Sequence, residues 1–374
     1  MKIRSVKLHA LSVPRQYATV IAQAGGTARP TVERSHFYFV EASGDDGRTG
    51  WGEISDVPPD ELPADRAAYE ALLGDLLRGR SVWDVQRLHH DVRQHLDLQR
   101  GSLGRYTACA LEMALYDLQA QAAGVPIYNL LGGAVRREVR ISWVAYIRED
   151  LDLIREEIRQ RCREGFTAFK LKVGVNIDLD EARLAAAREV AGPRASIKVD
   201  ANAGWSVDEA PRHIRRLARY DLAGVETPVP RDNPADIAAV RRQVNVPILE
   251  HVDNAAYGLA LLRAEAVDCF NIATTNAGGI YPARHIAALA EAAGVGVLLG
   301  STVELGPGTL YQLHLAATIA NLTLPSDLIG PGMYRDDVLQ QPLKYEAGTL
   351  RIPQGPGLGG IISRQKLHAL ARGA

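Results

Sequence analysis

The hydrophobic rhythm of the chain changes near residue 130. Over residues 1–13, 34–43 and 48–54 apolar and polar positions alternate, the pattern of strands with one buried face. The turn DDG at 45–47 makes the last two a hairpin. Residues 16–30 are rich in Gly and Ala and lack periodicity, which predicts a mobile loop. Helical spacing follows over 64–78, 82–96 and 102–123. On the last of these Ala110, Leu111, Ala114, Leu115 and Leu118 share a face, and GVP at 124–126 ends it. Strands followed by helices, without alternation, describe an α+β unit over 1–125. Beyond LLGG at 130–133, short apolar runs recur near 139–146, 167–173, 196–200, 223–226, 246–250, 267–273, 295–300 and 327–330. Helical patterns such as 151–163, 178–190, 207–220 and 282–293 separate them. Eight strands alternating with helices predict parallel pairing and a closed barrel over 126–345. The tail, 346–374, with TLRIP and QGPGLGG, is expected to fold back and complete the first unit.

Charge narrows the function classes. Forty-three basic and forty-four acidic residues leave a net charge of −1, so there is no electrostatic footprint for nucleic acid or an anionic membrane. No apolar run reaches membrane-spanning length, and residues 1–13 have the pattern of a strand rather than of a signal peptide. Cys109, Cys162 and Cys269 lack CxxC spacing, which suits a reducing cytoplasm. A soluble cytoplasmic protein is expected. Lysine is scarce, at positions 2, 7, 170, 172, 198, 344 and 366. Two of the seven form a KxK pair inside an apolar run.

That pair opens the candidate chemistry. In FKLKV, Phe169, Leu171 and Val173 take one face of a strand and Lys170 and Lys172 the other. In IKVD, Lys198 and Asp200 likewise oppose Ile197 and Val199. Catalytic groups of such barrels sit at the C-terminal strand ends. Those ends carry Lys170 and Lys172, then Asp200 with Asn202, then Glu226, then Glu250 with His251. A KxK on a strand is by itself more often a solvated face, but three strand-end acids in series reverse that balance. Converging carboxylates require a cation, and oxygen donors select Mg²⁺ or Mn²⁺. An amine facing the ion is favoured in its neutral, basic form. A metal and an amine base together suit removal of a proton α to a carboxylate, with the metal stabilising the enediolate.

Motifs along most of the chain add to this picture: ALEMALYDLQAQAAGVPIYNLLGG at 110–133, FKLKVG, VDANAGW, VET at 225–227, LIGPGMYRDDV at 328–338 and PQGPGLG at 353–359. With them the chain resembles the enolase superfamily, in its muconate lactonizing enzyme and mandelate racemase branch. The resemblance implies an α/β fold, a modified (β/α)₇β TIM barrel under an α+β capping domain. It implies Asp200, Glu226 and Glu250 as metal ligands, Lys172 as base and Lys170 as its assisting lysine. The KxK form and LIGPG…DD point to the muconate-lactonizing side. The fifth strand departs from the pattern, with LEHVD in place of the usual DES. In the sixth, DCFNIATTNAGG at 268–279, Ala273 stands where relatives carry a second lysine. One face of the substrate then lacks a base. A lyase or cycloisomerase, or an acid dehydratase, is favoured over a racemase or epimerase. Asn202, His251, Glu304, Ser301 and Tyr146 are expected to touch substrate or support the metal ligands. A small carboxylate is the expected partner, and the resemblance implies a homo-oligomer. A Schiff-base aldolase built on a strand lysine and a non-catalytic binding paralogue are the alternatives of other classes.

Overall fold

The computed structural model describes residues 1–98 and 101–371. Strands β1 (Ile3–Thr19), β2 (Val32–Gly44) and β3 (Thr49–Ile54) form an antiparallel sheet in that order. Residues 16–30 are more ordered than their composition predicts. β1 runs on to Thr19, which pairs with Val32, and Ala22–Gln23 pairs with Thr27–Ala28 in a small hairpin. Side-chain bonds replace the missing alternation: buried Arg15 donates to Thr19, to Ser35 Oγ (2.9 Å) and to Asp56 Oδ2 (2.6 Å).

Helices α1 (Arg66–Leu77), α2 (Val85–His95) and α3 (Leu103–Ala123) cover the sheet. Asp65 caps α1, accepting from the backbone N–H of Ala67 and Ala68. Glycine at position 52 lets α3 lie against β3, because a Cβ there would overlap the carbonyl oxygen of Ala110.

Seven parallel strands then follow: β4 (Trp143–Ala145), β5 (Ala168–Lys172), β6 (Ser196–Asp200), β7 (Leu222–Glu226), β8 (Ile248–His251), β9 (Cys269–Ile272) and β10 (Gly296–Leu299). The ring closes through residues 322–327. On one side Thr323 N donates to Val297 O (3.0 Å) and Asp327 N to Leu299 O (2.8 Å). On the other, Ser326 N donates to Arg140 O (2.9 Å) and Ser142 N to Ser326 O (2.8 Å). The eighth strand position thus lies a few residues before the expected 327–330, and Gly330–Met333 is a helical turn with Pro331 as its second residue.

Helices surround the ring: α4 (Leu151–Arg163), α5 (Ile177–Ala191), α6 (Ala210–Leu217), α7 (Pro234–Arg241), α8 (Ala255–Arg263), α9 (Ile280–Ala292) and α10 (Gly306–Thr318). Asp150, Asn176, Asn233 and Asn254 start α4, α5, α7 and α8 by accepting a first-turn N–H. Thr349–Arg351 pairs with Glu138–Arg140. The chain then returns to the first sheet, where Leu358 N donates to Asp117 Oδ1 (3.0 Å) and Arg364 meets Glu41 (2.6 Å). No helix among the described residues is long and apolar enough to cross a membrane.

Candidate active site

Strand parity decides what the barrel encloses. Lys172 pairs with Asp200, Asp200 with Glu226, Glu226 with Leu249 and Leu249 with Cys269. Leu249 fills space that Gly224 leaves, since a Cβ on Gly224 would overlap its side chain. Leu249, Cys269 and Leu298 pack together as an apolar plug, separate from the main core. Two residues further on each strand, the same face presents His251, Asn271 and Gly300. Glu250 has the opposite parity.

Beside the plug lies a buried ionic layer. Asp327 receives Lys170 on Oδ2 at 2.7 Å and Lys198 on Oδ1 at 2.8 Å, and Lys198 also donates to Pro325 O at 2.9 Å. Lys170 further contacts Glu226 at 3.3 Å and Asp200 at 3.5 Å. Burial opposes its charge, but Asp327, Glu226 and Asp200 outweigh burial and hold the ammonium well above the ordinary lysine range.

Toward the mouth, Lys172 Nζ lies 2.6 Å from Asp200 Oδ2. Its side chain is 11% exposed against 4% for Lys170, so Lys172 is the lysine that can reach a substrate. Ligand atoms of Asp200, Glu226 and His251 lie within 4.8 Å of one another. His251 Nε2 is 2.7 Å from Glu226 Oε1, which also accepts from Asn271 Nδ2 at 2.8 Å. Asn202 donates its backbone N–H to Asp200 Oδ1 (2.9 Å) and its amide to Oδ2 (3.2 Å). Burial works against charge on Glu226, yet Lys170 and His251 bring the carboxyl well below its usual range. Burial likewise lowers the His251 imidazole, and Glu226 more than reverses that, raising it.

Two carboxylates and an imidazole from three adjacent strands fit a divalent cation. Asn202 Oδ1 and His251 Nδ1 are buried there without a hydrogen-bond partner among the described residues, so donor capacity is left over.

Glu250, expected as the third ligand, lies outside this trio. It accepts from Thr227 Oγ1 (3.0 Å) and His251 N (2.8 Å) and pairs with Arg231 Nε (3.0 Å). Burial pushes its carboxyl up to about 7 despite Arg231. Glu304 is also buried and engaged, accepting from Thr302 N and Oγ1 (both 3.0 Å), from Ser301 Oγ and from Gln312 Nε2 (3.3 Å). Ser301 is turned onto that carboxylate. Tyr146 faces the cap, edge-on to Tyr17 with centroids 6.4 Å apart. Ala273 is buried just past the end of the sixth strand, which is opposite the second in an eight-membered ring, and neither Cys269 nor Asn271 on that strand is a ready base.

The small hairpin reaches the rim. Ile147 N donates to Val20 O (3.1 Å), and Gly26, at φ 70°, approaches so closely that a Cβ would sit 3.3 Å from Gly204 O. Gly25 and Gly26 line a groove of about 360 Å³ with Gly174, Gly204 and Trp205.

Residues 16–132 match the family model of the mandelate racemase / muconate lactonizing enzyme N-terminal domain, and residues 153–366 that of the enolase C-terminal domain-like family. The chain belongs to the mandelate racemase / muconate lactonizing enzyme family. It is thus an enzyme of the enolase superfamily. It is 30% identical to chloromuconate cycloisomerase of Pseudomonas putida, over all of both chains. It is 32% identical to L-Ala-D/L-Glu epimerase of Bacillus subtilis (strain 168), over 96% of each. The crystal structure of 2-chloromuconate cycloisomerase from Rhodococcus opacus 1CP superposes with a TM-score of 0.90 at 26% identity, covering 99% of both chains. This family therefore includes both cycloisomerases and epimerases among the chain's relatives.

Three residues of this family member's site escape a search for strand-end acids and bases: Asp327, Asn271 and Arg231. Asn271 could have been found from parity with Cys269. Asp327 sits just before LIGPG, and its inward direction has no local pattern to announce it. Arg231 lies in a loop, and nothing in the sequence ties it to Glu250.

Proposed function

We propose that this enzyme uses Lys172 to remove the proton α to the carboxylate of a small anionic substrate and completes the reaction on the same face. It would act as a cycloisomerase or as a syn-eliminating acid dehydratase. Asp200 and Glu226, with a third donor from β8, would hold Mg²⁺ or Mn²⁺. The bound ion would supply the Lewis acid that stabilises the enediolate. Lys170, held as a cation by Asp327, would keep positive potential beside the base, while Asn202 and Asn271 fix the two carboxylates. The cap, residues 1–125 with 346–374, would select the substrate through its rim hairpin, and the barrel, 126–345, would carry the chemistry. Closure at the rim excludes water and strengthens the field on the substrate.

The observation that carries this reading is the position of Lys172 Nζ, 2.6 Å from Asp200 at the mouth, facing a strand whose corresponding position is Ala273. A library of small carboxylates in D₂O tests it. Label should enter the α-carbon with retention of configuration, vanish with EDTA, return with Mg²⁺ or Mn²⁺, and be lost in Lys172→Ala while metal binding persists. Exchange that survives both treatments refutes the reading. Loss of configuration would instead support the racemase or epimerase reading that likeness to the Bacillus subtilis enzyme favours.

A further inference from the structure

We infer that the third protein ligand of the metal is His251 rather than a carboxylate, and that the site therefore prefers first-row transition ions, Mn²⁺ among them, over Mg²⁺. The inference rests on the metal-dependent reading above and specifies its site. Successive residues of a strand face opposite sides, so only one of Glu250 and His251 can face the barrel axis with Asp200 and Glu226. Leu249 takes the inner face, as its fit against Gly224 shows, and His251 shares its parity. The ligand atoms agree, with His251 inside the 4.8 Å trio.

Glu250 is held on the outer side by partners that are themselves held. Arg231 pairs with it at 3.0 Å, donates to His251 O at 2.6 Å, meets Asp253 at 3.2 Å and lies 5.1 Å over the Tyr257 ring. Moving Glu250 to the axis would break the arginine pair and the bonds from Thr227 and His251 N. The geometry makes it a positioning residue that fixes the His251 backbone.

His251 has no such obligation. Its contact with Glu226 is compatible with both flanking one ion, and its Nδ1 is buried without a partner among the described residues. A neutral imidazole is a common ligand for first-row transition ions, whereas Mg²⁺ takes oxygen donors almost exclusively. Replacing one carboxylate of three by nitrogen should move selectivity away from Mg²⁺.

The experiment uses metal-stripped full-length protein reloaded with Mn²⁺, prepared with natural-abundance and with ¹⁵N-labelled histidine. Pulsed EPR should show a directly bonded nitrogen whose coupling changes with the label. His251→Gln should lose that coupling and weaken Mn²⁺ binding by about 100-fold. Glu250→Gln should retain the coupling. His251→Asp should bind without it and recover preference for Mg²⁺ in competition. Should His251→Gln fail to fold, the labelled wild-type spectrum decides alone. Tight Mn²⁺ binding without nitrogen coupling, abolished in Glu250→Gln, overturns the inference and leaves the metal-dependent reading standing. Wild-type protein that binds no divalent ion refutes that reading, and this inference with it.

Discussion

Replacing Asp327 by asparagine tests the ionic layer beneath the site. Its carboxylate lies 2.7 Å from Lys170 and 2.8 Å from Lys198, all three groups being buried. At an effective dielectric of about 20, unit charges about 2.8 Å apart attract by about 6 kcal/mol. Desolvation of the ions offsets much of that, but it remains as a cost when only one partner is removed. Breaking a buried pair in this way costs about 3–5 kcal/mol. The two lysines should not share the loss equally. Lys170 keeps Glu226 and Asp200 at 3.3 and 3.5 Å, while Lys198 keeps the carbonyl of Pro325. Lys198→Met in the Asp327→Asn background should therefore recover most of the stability, and Lys170→Met should lose more, because it also removes the cation shared by Glu226 and Asp200. In urea the single variant should unfold about 1–2 M earlier than wild type. A loss under about 1 kcal/mol, or equal rescue by the two methionine variants, would refute this account of the layer.

Three further perturbations probe other parts of the fold. Burial lowers the His314 imidazole from 6.5 to about 4, and its Nε2 lies 3.1 Å from Leu358 O. The folded value is depressed, so its stabilisation is complete above pH 6.5 and is lost as pH falls through about 4, by about 3 kcal/mol. His314→Gln should flatten the urea midpoint over that window relative to wild type, and an unchanged slope counts against it. Gly52→Val, which would overlap Ala110 O, should destabilise by about 3 kcal/mol or more, and soluble expression with an unchanged melting temperature would contradict the packing. Gly26→Val forces a β-branched residue to φ 70° and should cost about 1–3 kcal/mol of local strain, raise KM and slow turnover; unchanged kinetics would remove the hairpin from the reaction.

The barrel was legible because each strand needs an apolar outer face and each helix an apolar stripe, and both periods survive in the sequence. Lys170, Lys172, Lys198 and Asp200 were legible for the same reason: strict alternation with Phe169, Leu171, Ile197 and Val199 fixes their direction. The fifth strand offers no such guide. Ile248 and Leu249 are both apolar and face opposite ways, one to the helices and one to the plug, so the run does not reveal whether Glu250 or His251 points inward. A search by residue type then selects the acid, while strand parity turns His251 inward. The closing segment was misplaced for a related reason. Residues 322–327 bond to a strand on each side yet contain Pro325 and a buried acid, so they lack the continuous apolar run of a buried strand. The hairpin near residue 25 was illegible because side chains of Arg15, Ser35 and Asp56, distant in sequence, order the segment leading to it.

If His251 is the third ligand, charge within the barrel links that choice to the proposed substrate class. Lys170, Lys172 and Lys198 face Asp200, Glu226 and Asp327, three against three, while Arg231 compensates Glu250 on the outer side. A divalent ion held there would add two positive charges, and a neutral imidazole ligand would cancel neither. A third inward carboxylate would have removed one. The resulting excess of two would favour an anion at the mouth, and the proposed carboxylate substrate would reduce it to one. Neutrality would be reached when base and substrate together hold one proton fewer, the state from which the proposed α-proton transfer would start. Transfer within that pair would move charge toward the ion without changing the total, so the field would act on where charge develops in the transition state rather than on substrate binding alone. On this count, the proposed ligand at β8 and the proposed preference for an anionic substrate would be two consequences of the same strand parity.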